Sequence, residues 1–441
     1  MTEPLAISPS VLLRSAGAQL LALPWDEPLG DWSPADVALR DIPVGPSRHL
    51  VKFVEADGKL YALKDEPLSI ARKEYAVLRT LQERGLPAVR PVGLVEQSPV
   101  DTAILVTEFL EHSWQYRRLF MRLPQGVGRH RDRLFDALAT LLVELHRHGV
   151  FWGDCSLANT LFVRDGQRLQ AHLVDAETSE IHPALSPARR SHDLQVVVEN
   201  VAAGLFDVAA RLGQLTDEYT DELITEAYSI ERRYEDLWAE LTAEETLPFS
   251  QRHAVLGRIK RLNDLGFVVD EVRLSPTGDG SGAVRLQVSV AGRDYHTAQL
   301  STLTGLRVRE GQATILLSDL LAYAFHLRAA GEALDDVEAA DRWLQHVFRP
   351  GLAQVREAFP GSDPIQTYCD FLEVRWLLSE QQQRDVGDQA AINAMKGDAL
   401  PSQSAATLAV VEAATSPLER FTDQMLDYLS GDSSDDGPGM G

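Results

Sequence analysis

The feature that most constrains the fold is a set of polar residues placed among apolar segments between residues 146 and 178. Asp154 and Asn159 stand in an apolar run, separated by four residues, and Asp175 follows the strand-like segment AHLV. Burying an ionised carboxylate is costly unless a cation or several hydrogen-bond donors compensate it. These three side chains therefore predict a cleft with a polar occupant, and the fold must bring them together there.

The periodicity of apolar residues changes along the chain before this stretch. Two alternating runs around the turn ADG predict a β-hairpin over residues 48–65, and the next segment predicts a helix that ends near Gly85. The runs VRPVGLVE and TAILVTEFLE predict two more strands, and residues 133–149 predict a helix. This order indicates a β-rich small lobe followed by a helical lobe, with the polar residues at their junction.

Lys64 and Glu74 form a predicted pair within the small lobe. Strand alternation places Lys64 on the face opposite to Leu63. Glu74 shares the inward stripe of its helix with Leu78, so its carboxylate needs a cation. A strand lysine paired with a helix glutamate positions the nucleotide phosphates in protein-kinase-like enzymes.

The stretch from Asp154 to Asp175 has the spacing of a kinase catalytic loop. Asp154 and Asn159 match D-x-x-x-x-N, in which the aspartate accepts the hydroxyl proton and the asparagine binds metal. The runs TLFV and AHLVD, joined by a turn at Asp165 and Gly166, predict a hairpin that returns Asp175 to Asn159. Asp175 then stands where the aspartate of D-F-G holds Mg²⁺.

The sequence resembles a known superfamily at these motifs. GVFWGDCSLANTLF with LVDAET is similar to the lipopolysaccharide-core and Kdo-type sugar kinases, a branch of the protein-kinase-like fold. It is specifically similar to bacterial proteins that join such a lobe to a domain of unknown function. The resemblance covers residues 35–240 and extends to about 395 for the joined pair. It implies ATP and Mg²⁺ as cofactors and a hydroxyl acceptor such as a sugar or an envelope precursor.

The resemblance also implies roles for the residues of the cleft. Lys64 becomes the phosphate-binding lysine and Glu74 its partner. Asp154 becomes the catalytic base. Asn159, which also belongs to the catalytic loop, becomes a metal ligand together with Asp175.

Further roles follow from segments outside the catalytic loop. TEFLE resembles the kinase hinge, which implies that backbone groups near Glu108 and Leu110 bind adenine. PVGPSRHL lacks the pattern G-x-G-x-x-G and offers Gly45 and Ser47 as the phosphate-covering residues. Asp193 in SHDL matches the buried aspartate that braces the catalytic loop.

The remainder of the chain predicts an accessory domain and a tail. Residues 247–397 predict a smaller α+β domain, in which EVRLSP and AVRLQVSV flank a hairpin turn. Residues 398–441 predict a flexible acidic tail. Within it, residues 416–430 predict a short amphipathic helix with a capping box. This helix either folds back on the accessory domain or docks on a partner protein, and both alternatives stay open.

The predicted fold class is therefore α+β, with a two-lobed protein-kinase-like domain ahead of the accessory domain and the tail. The kinase-like domain spans residues 35–241, with its small lobe ending at about residue 110. Residues 1–34 form an N-terminal extension.

Bulk composition excludes several classes of partner. A net charge of −23 repels the phosphate backbone, so nucleic acid is not an expected partner. The two cysteines, Cys155 and Cys369, provide neither a disulfide framework nor a structural zinc site. The N-terminus lacks a basic region ahead of an apolar one, and no segment is apolar enough for a membrane span. These features predict a cytoplasmic protein.

Two side chains near the loop have simpler interpretations than catalysis. His146 is interpreted as a helix-end residue favoured by the helix dipole, and not as a metal ligand. Cys155 is interpreted as a small buried residue, and not as a nucleophile.

The resulting functional prediction is an ATP- and Mg²⁺-dependent phosphotransferase. Two alternatives stay open. The absence of the pattern G-x-G-x-x-G favours a nucleotide-binding pseudokinase that acts as a scaffold. The same fold also supports transfer of a nucleotidyl group in place of a phosphoryl group.

Overall fold

The computed structural model describes residues 7–42, 48–116, 119, 128–248, 252–277, 283–397 and 400–409. Helices and strands are both abundant in these ranges, which confirms the mixed α and β class. Three predictions lie outside the described residues: the phosphate-covering residues Gly45 and Ser47, the turn at 278–282, and the tail beyond residue 409 with its helix at 416–430. Residues 400–409 of the predicted flexible tail are described and are packed, because Ala405, Ala406 and Leu408 are buried and the Ser404 hydroxyl donates to Glu373 at 2.6 Å.

The small lobe contains, in chain order, β1 (Ser8–Leu13), α1 (Ala18–Leu21), β2 (Leu39–Arg40), β3 (Leu50–Ala56), β4 (Lys59–Pro67), α2 (Leu68–Glu83), β5 (Pro91–Ser98) and β6 (Thr102–Glu108). Its described strands form an antiparallel sheet with the order β1-β5-β6-β4-β3-β2. Asp57 and Gly58 adopt positive φ angles of 52° and 71° between β3 and β4. The hairpin predicted over residues 48–65 is therefore confirmed.

Each face of this sheet is covered by a different part of the chain. Helix α2 packs on one face through side chains such as Leu78 and Leu81. Residues ahead of β2, including Trp25 and Trp32, pack with Leu63 on the other face. The segment predicted as an N-terminal extension thus contributes a strand and core side chains to the small lobe. Where the kinase-like domain begins stays a prediction.

The helical lobe follows, and its core is continuous with the α2 side of the sheet. Its elements are β7 (Ser113–Gln115), α3 (Gly128–Arg147), β8 (Val150–Phe151), β9 (Thr160–Asp165), β10 (Arg168–Leu173), β11 (Glu180–Ile181), α4 (Pro187–Arg211) and α5 (Asp217–Thr242). Strands β9 and β10 pair in antiparallel register, with Arg168 opposite Asp165 and Leu173 opposite Thr160. This is the hairpin predicted after the catalytic loop.

The C-terminal part begins with a small antiparallel sheet and continues with helices. Its elements are β12 (Glu245–Pro248), α6 (Arg252–Asp264), β13 (Val269–Pro276), β14 (Ala283–Val290), α7 (Tyr295–Thr304), α8 (Glu310–Ala329), α9 (Asp336–Trp343), α10 (Arg349–Ala358), α11 (Pro364–Gln382) and α12 (Asp388–Lys396). Phe267, Leu286 and Val288 join the core of the helical lobe. The helices from α7 onward enclose a second core around Trp343 and Tyr368. Where the accessory domain begins stays a prediction.

The turn between β9 and β10 is hydrogen-bonded to helices of the second core. The Asp165 carboxylate accepts the Gly311 and Gln312 amides at 2.9 Å each, so it caps the first turn of α8. Gln366 bonds both backbone groups of Gly166, at 2.9 Å each. The accessory helices therefore hold the hairpin that follows the catalytic loop.

A buried ion pair adds to this contact. Arg164 is 2% exposed, and its guanidinium pairs with Asp370, which is equally buried. Within the described ranges, no helix is long and apolar enough to cross a membrane.

Candidate functional site

Lys64 lies at the centre of a cluster of carboxylates in the cleft between the lobes. Its Nζ is 3.0 Å from Glu74 Oε2, 3.0 Å from Asp175 Oδ2 and 2.5 Å from Glu66 Oε1. The alternation of β4 explains its position, because Leu63 turns into the core while Lys64 faces the cleft. The structure therefore brings together the predicted pair, Lys64 and Glu74, and joins it to Asp175 from the other lobe.

The pKa values of Lys64 and Glu74 are set by burial and by the charges of their neighbours in this cluster. Glu74 is 1% exposed. Burial, together with repulsion from Asp175 and Glu66, outweighs the attraction of Lys64 and raises the pKa of Glu74 to about 8. Burial alone would lower the pKa of Lys64, but the carboxylates of Glu74, Asp175 and Glu66 outweigh it and hold that pKa above its usual value. Lys64 therefore stays charged at neutral pH.

Glu66 is a member of this cluster that the sequence reasoning missed. It is 1% exposed and lies two residues after Lys64 on the same strand. The signal was present in the sequence, because Ala62, Lys64 and Glu66 alternate onto one face. Only the lysine was assigned a role.

The catalytic loop places Asp154 beside Asn159. Asn159 Nδ2 donates to Asp154 Oδ2 at 3.2 Å. The Ser156 hydroxyl caps the short 3₁₀ turn at Leu157–Asn159, because its oxygen accepts a hydrogen bond from the backbone N–H of Asn159 at 3.2 Å. Asp154 is partly exposed, and its role as catalytic base stays a prediction.

The hairpin of β9 and β10 returns Asp175 to this loop. The Val174 amide donates to the Asn159 carbonyl at 3.0 Å, one residue before Asp175. Asp175 Oδ1 accepts the Glu177 amide at 3.1 Å, while Oδ2 meets Lys64. The predicted meeting of Asn159 and Asp175 is thus present in the structure.

Asp193 braces the catalytic loop from beneath. It is 0% exposed and accepts the amides of Trp152 at 2.8 Å and Gly153 at 2.9 Å. His146 Nε2 lies 3.1 Å from the same carboxylate, and its Nδ1 lies 2.8 Å from the Tyr234 hydroxyl. His146 lies in the last turn of α3, as interpreted, and its buried ring also connects Asp193 to α5.

Cys155 agrees with its interpretation as a small buried residue. It is 1% exposed. Burial and the neighbouring Asp193 carboxylate raise the pKa of the Cys155 thiol well above its usual value. A thiol in this environment is a poor nucleophile, because the thiolate is the reactive form.

The predicted hinge follows β6 at the back of the cleft. The Glu108 amide already donates to the Arg90 carbonyl at 2.9 Å, and the Leu110 carbonyl accepts the Ser113 hydroxyl at 2.6 Å. The Glu108 carboxylate pairs with Lys59 at 2.8 Å. Adenine binding near Glu108 and Leu110 stays a prediction. The Glu108 carbonyl and the Leu110 N–H are the backbone groups of these two residues that it would use.

The donor set beside the catalytic loop fits a magnesium ion. Asn159 Nδ2 faces Asp154, and among the residues that the structure describes no donor bonds to the Asn159 amide oxygen. That oxygen and the Asp175 carboxylate offer the hard oxygen ligands that Mg²⁺ prefers, with waters and phosphates completing its shell.

A separate cavity of about 210 Å³ lies away from these residues. It is lined by the segment that follows α2, the end of α3, strand β10, residues that flank β13 and β14, and the start of α8, with Arg84, Arg147 and Arg293 in its wall. Glu144 also lines it, and burial raises the pKa of that carboxyl. None of the predicted site residues borders this cavity.

The order of these elements and the lysine-to-aspartate cluster define a protein-kinase-like fold. Residues 59–228 match the sequence model of the lipopolysaccharide kinase (Kdo/WaaP) family, and residues 236–399 match that of a domain of unknown function, DUF4032. These matches confirm the resemblance to lipopolysaccharide-core and Kdo-type kinases joined to such a domain. They support a kinase-like phosphotransferase.

A solved structure of WaaP in complex with acyl carrier protein is also similar to this chain. The sequences are 20% identical, the TM-score is 0.31, and the match covers 46% of this chain and 89% of the other. Among curated proteins, none matches the chain.

Proposed function

We propose that the protein is an ATP- and Mg²⁺-dependent phosphotransferase that acts on a hydroxyl group. One observation supports this more than any other. Lys64 Nζ lies 3.0 Å from both Glu74 Oε2 and Asp175 Oδ2, so both lobes converge on one lysine. Beside it, Asp154 and Asn159 supply the remaining groups of phosphoryl-transfer chemistry.

The roles follow from the positions of the side chains. Lys64 keeps its proton and supplies positive charge to the phosphates, and Glu74 holds the ammonium in place. The Asp154 carboxylate accepts the proton of the attacking hydroxyl, while Asp193 fixes the loop that carries it. Asn159 and Asp175 would hold Mg²⁺, which neutralises charge on the phosphates when bound.

The identity of the acceptor is proposed from the family alone. A sugar hydroxyl or an envelope precursor in the cytoplasm fits the Kdo/WaaP match. A protein partner at the helix predicted over residues 416–430 also stays a proposal. Transfer of a nucleotidyl group and a scaffold role remain the competing functions, and both require the same nucleotide site.

The nucleotide site is tested by binding measurements on paired variants. Mg²⁺-ATP should raise the melting temperature of the wild type, with about 2.7 kcal/mol of stabilisation at a hundredfold excess over Kd. Asp154→Asn should keep most of this affinity, because Asp154 meets the acceptor and not ATP. Asp175→Asn should weaken it, because Asp175 would hold the metal that neutralises charge on the phosphates.

The exposed Asp236 on α5 provides a charge-matched control. Asp236→Asn should behave as the wild type in these titrations. If a saturating concentration of Mg²⁺-ATP leaves the wild-type melting temperature unchanged, the proposed nucleotide site does not exist.

A further inference from the structure

Three side chains from three separate segments converge at the outer edge of the Lys64 cluster. The potential ligand atoms of His49, Glu66 and Glu177 all lie within 4.8 Å of one another. His49 Nε2 and Glu177 Oε2 are 3.2 Å apart. This group contains neither Asn159 nor Asp175, the two residues assigned to the nucleotide's metal.

Glu66 is the buried member of this group, and its charge is incompletely matched. Lys64 approaches its Oε1 at 2.5 Å, but the same ammonium also faces Glu74 and Asp175. Within the described part of the chain, Glu66 Oε2 has no hydrogen-bond partner. Even with Glu74 protonated, one ammonium faces the carboxylates of Glu66 and Asp175, and burying an uncompensated carboxylate is costly. A second cation beside Glu66 would remove this cost.

The backbone of the small lobe explains how two of the ligands meet. Leu50 pairs with Asp65 across β3 and β4, so His49 lies next to the strand position of Glu66. Two-residue alternation turns Glu66 to the same side of β4 as Lys64.

The third ligand comes from the helical lobe. Glu177 lies two residues beyond Asp175, and its carbonyl accepts Lys73 Nζ of α2 at 2.8 Å. The three side chains therefore meet across the cleft between the lobes, where a bound ion would tie the small lobe to the helical lobe.

We propose that His49, Glu66 and Glu177 bind a divalent transition-metal ion, separate from the magnesium of the nucleotide. One imidazole with two carboxylates suits Mn²⁺ or Zn²⁺ better than Mg²⁺, which prefers ligand sets made of oxygen alone. Water completes the coordination. This site needs neither ATP nor an acceptor, so it is independent of the proposed phosphotransfer.

Electron paramagnetic resonance with Mn²⁺ alone, without nucleotide, tests the site. The wild type should bind Mn²⁺ with a nitrogen coupling from the coordinated imidazole, and His49→Gln should abolish that coupling. Glu66→Gln and Glu177→Gln should each weaken binding by about tenfold or more. Asn159→Ala should retain the nitrogen-coupled ion, because it removes a ligand only from the nucleotide's metal site.

The contact between His182 and Glu180 supplies a matched control, because its atoms are 2.9 Å apart and it lies outside the group. His182→Gln should leave the Mn²⁺ signal unchanged. Melting temperatures identify any variant that fails to fold. If Glu66→Gln fails to fold, Glu177→Gln still tests the carboxylate ligands. The proposal is overturned if the wild type shows no nitrogen-coupled Mn²⁺, or if the coupling survives in His49→Gln.

Discussion

At the scale of single residues, Asp193 shows how a buried charge is stabilised by the loop that it holds. Its carboxylate accepts two backbone amides and contacts the His146 ring, although it is fully buried. Hydrogen bonds to an ionised acceptor are stronger than those between neutral groups. Removing the carboxylate would leave the amides of Trp152 and Gly153 buried without an acceptor.

Asp193→Ala should therefore lower the free energy of unfolding by about 3 kcal/mol. Urea denaturation followed by tryptophan fluorescence measures this loss. Asp236→Ala, at an exposed position on α5, should stay within about 0.5 kcal/mol of the wild type. Equal stabilities for the two variants would show that Asp193 is not the brace of the loop.

At the scale of elements, the turn of the β9–β10 hairpin connects the catalytic loop to the accessory helices. Gly166 adopts φ +61°, and a Cβ there would lie 2.5 Å from the Gly311 carbonyl oxygen. Gly213, between α4 and α5, has φ +65° but nothing within 4 Å of its Cβ position. The two glycines share the backbone conformation and differ in the close contact with α8.

This difference makes the two glycines a matched pair. Gly213→Ala should cost about 1 kcal/mol, from the left-handed backbone alone. Gly166→Ala should cost about 2 kcal/mol more, because it pushes the hairpin away from α8. It should also weaken Mg²⁺-ATP binding, which Gly213→Ala should not. Similar stability losses in chemical denaturation would mean that the hairpin is not held by the accessory helices.

The elements also show what sequence periodicity predicts and what it does not. Alternation and helical spacing were sufficient to place Lys64 against Glu74, because only ten residues separate them on adjacent elements. The loop spacing likewise placed Asp175 beside Asn159. Neither rule extends to Asp165, which caps a helix 146 residues later. Such contacts depend on how separate elements pack, and a periodic pattern carries no information about that.

The same limit explains the omissions in the candidate site. His49 and Glu177 lie 128 residues apart, and His146 reaches Tyr234 across 88 residues. Each of these side chains has an ordinary interpretation within its own segment. The contact within each pair forms only when distant segments of the chain pack together.

At the scale of the whole molecule, the buried His130 and the partly exposed His172 link stability to pH. Burial, with the positive charge of Arg309 nearby, lowers the pKa of His172 to about 4. Burial, with Arg133 and Arg164 nearby, lowers the pKa of His130 to about 4 as well. Between pH 6.5 and 4 the unfolded chain binds protons that the folded chain does not. These groups therefore destabilise the fold as the pH falls through that window.

Glu74 acts in the opposite direction, in a window from its ordinary pKa of 4.5 to about 8 that overlaps the window of the histidines. Its pKa is raised in the folded protein, so its contribution to stability is lost as the pH rises towards 8. His172→Gln should flatten the acid side of the stability curve and leave the alkaline side unchanged. Melting temperatures between pH 4 and 9 measure this. An unaltered acid limb in both His172→Gln and His130→Gln would contradict the assignment.

The central claim is tested most directly by following the γ-phosphate and the α-phosphate of ATP separately. The wild type is incubated with ATP labelled at the γ-phosphate or at the α-phosphate, in the presence of Mg²⁺ and a cell extract. Asp154→Asn and Asp236→Asn are run beside it. We predict that the γ-label moves to an acceptor, and that Asp154→Asn reduces the rate by about a hundredfold or more. Transfer of the α-label, or a γ-label rate that Asp154→Asn leaves unchanged, would contradict phosphotransfer at this site.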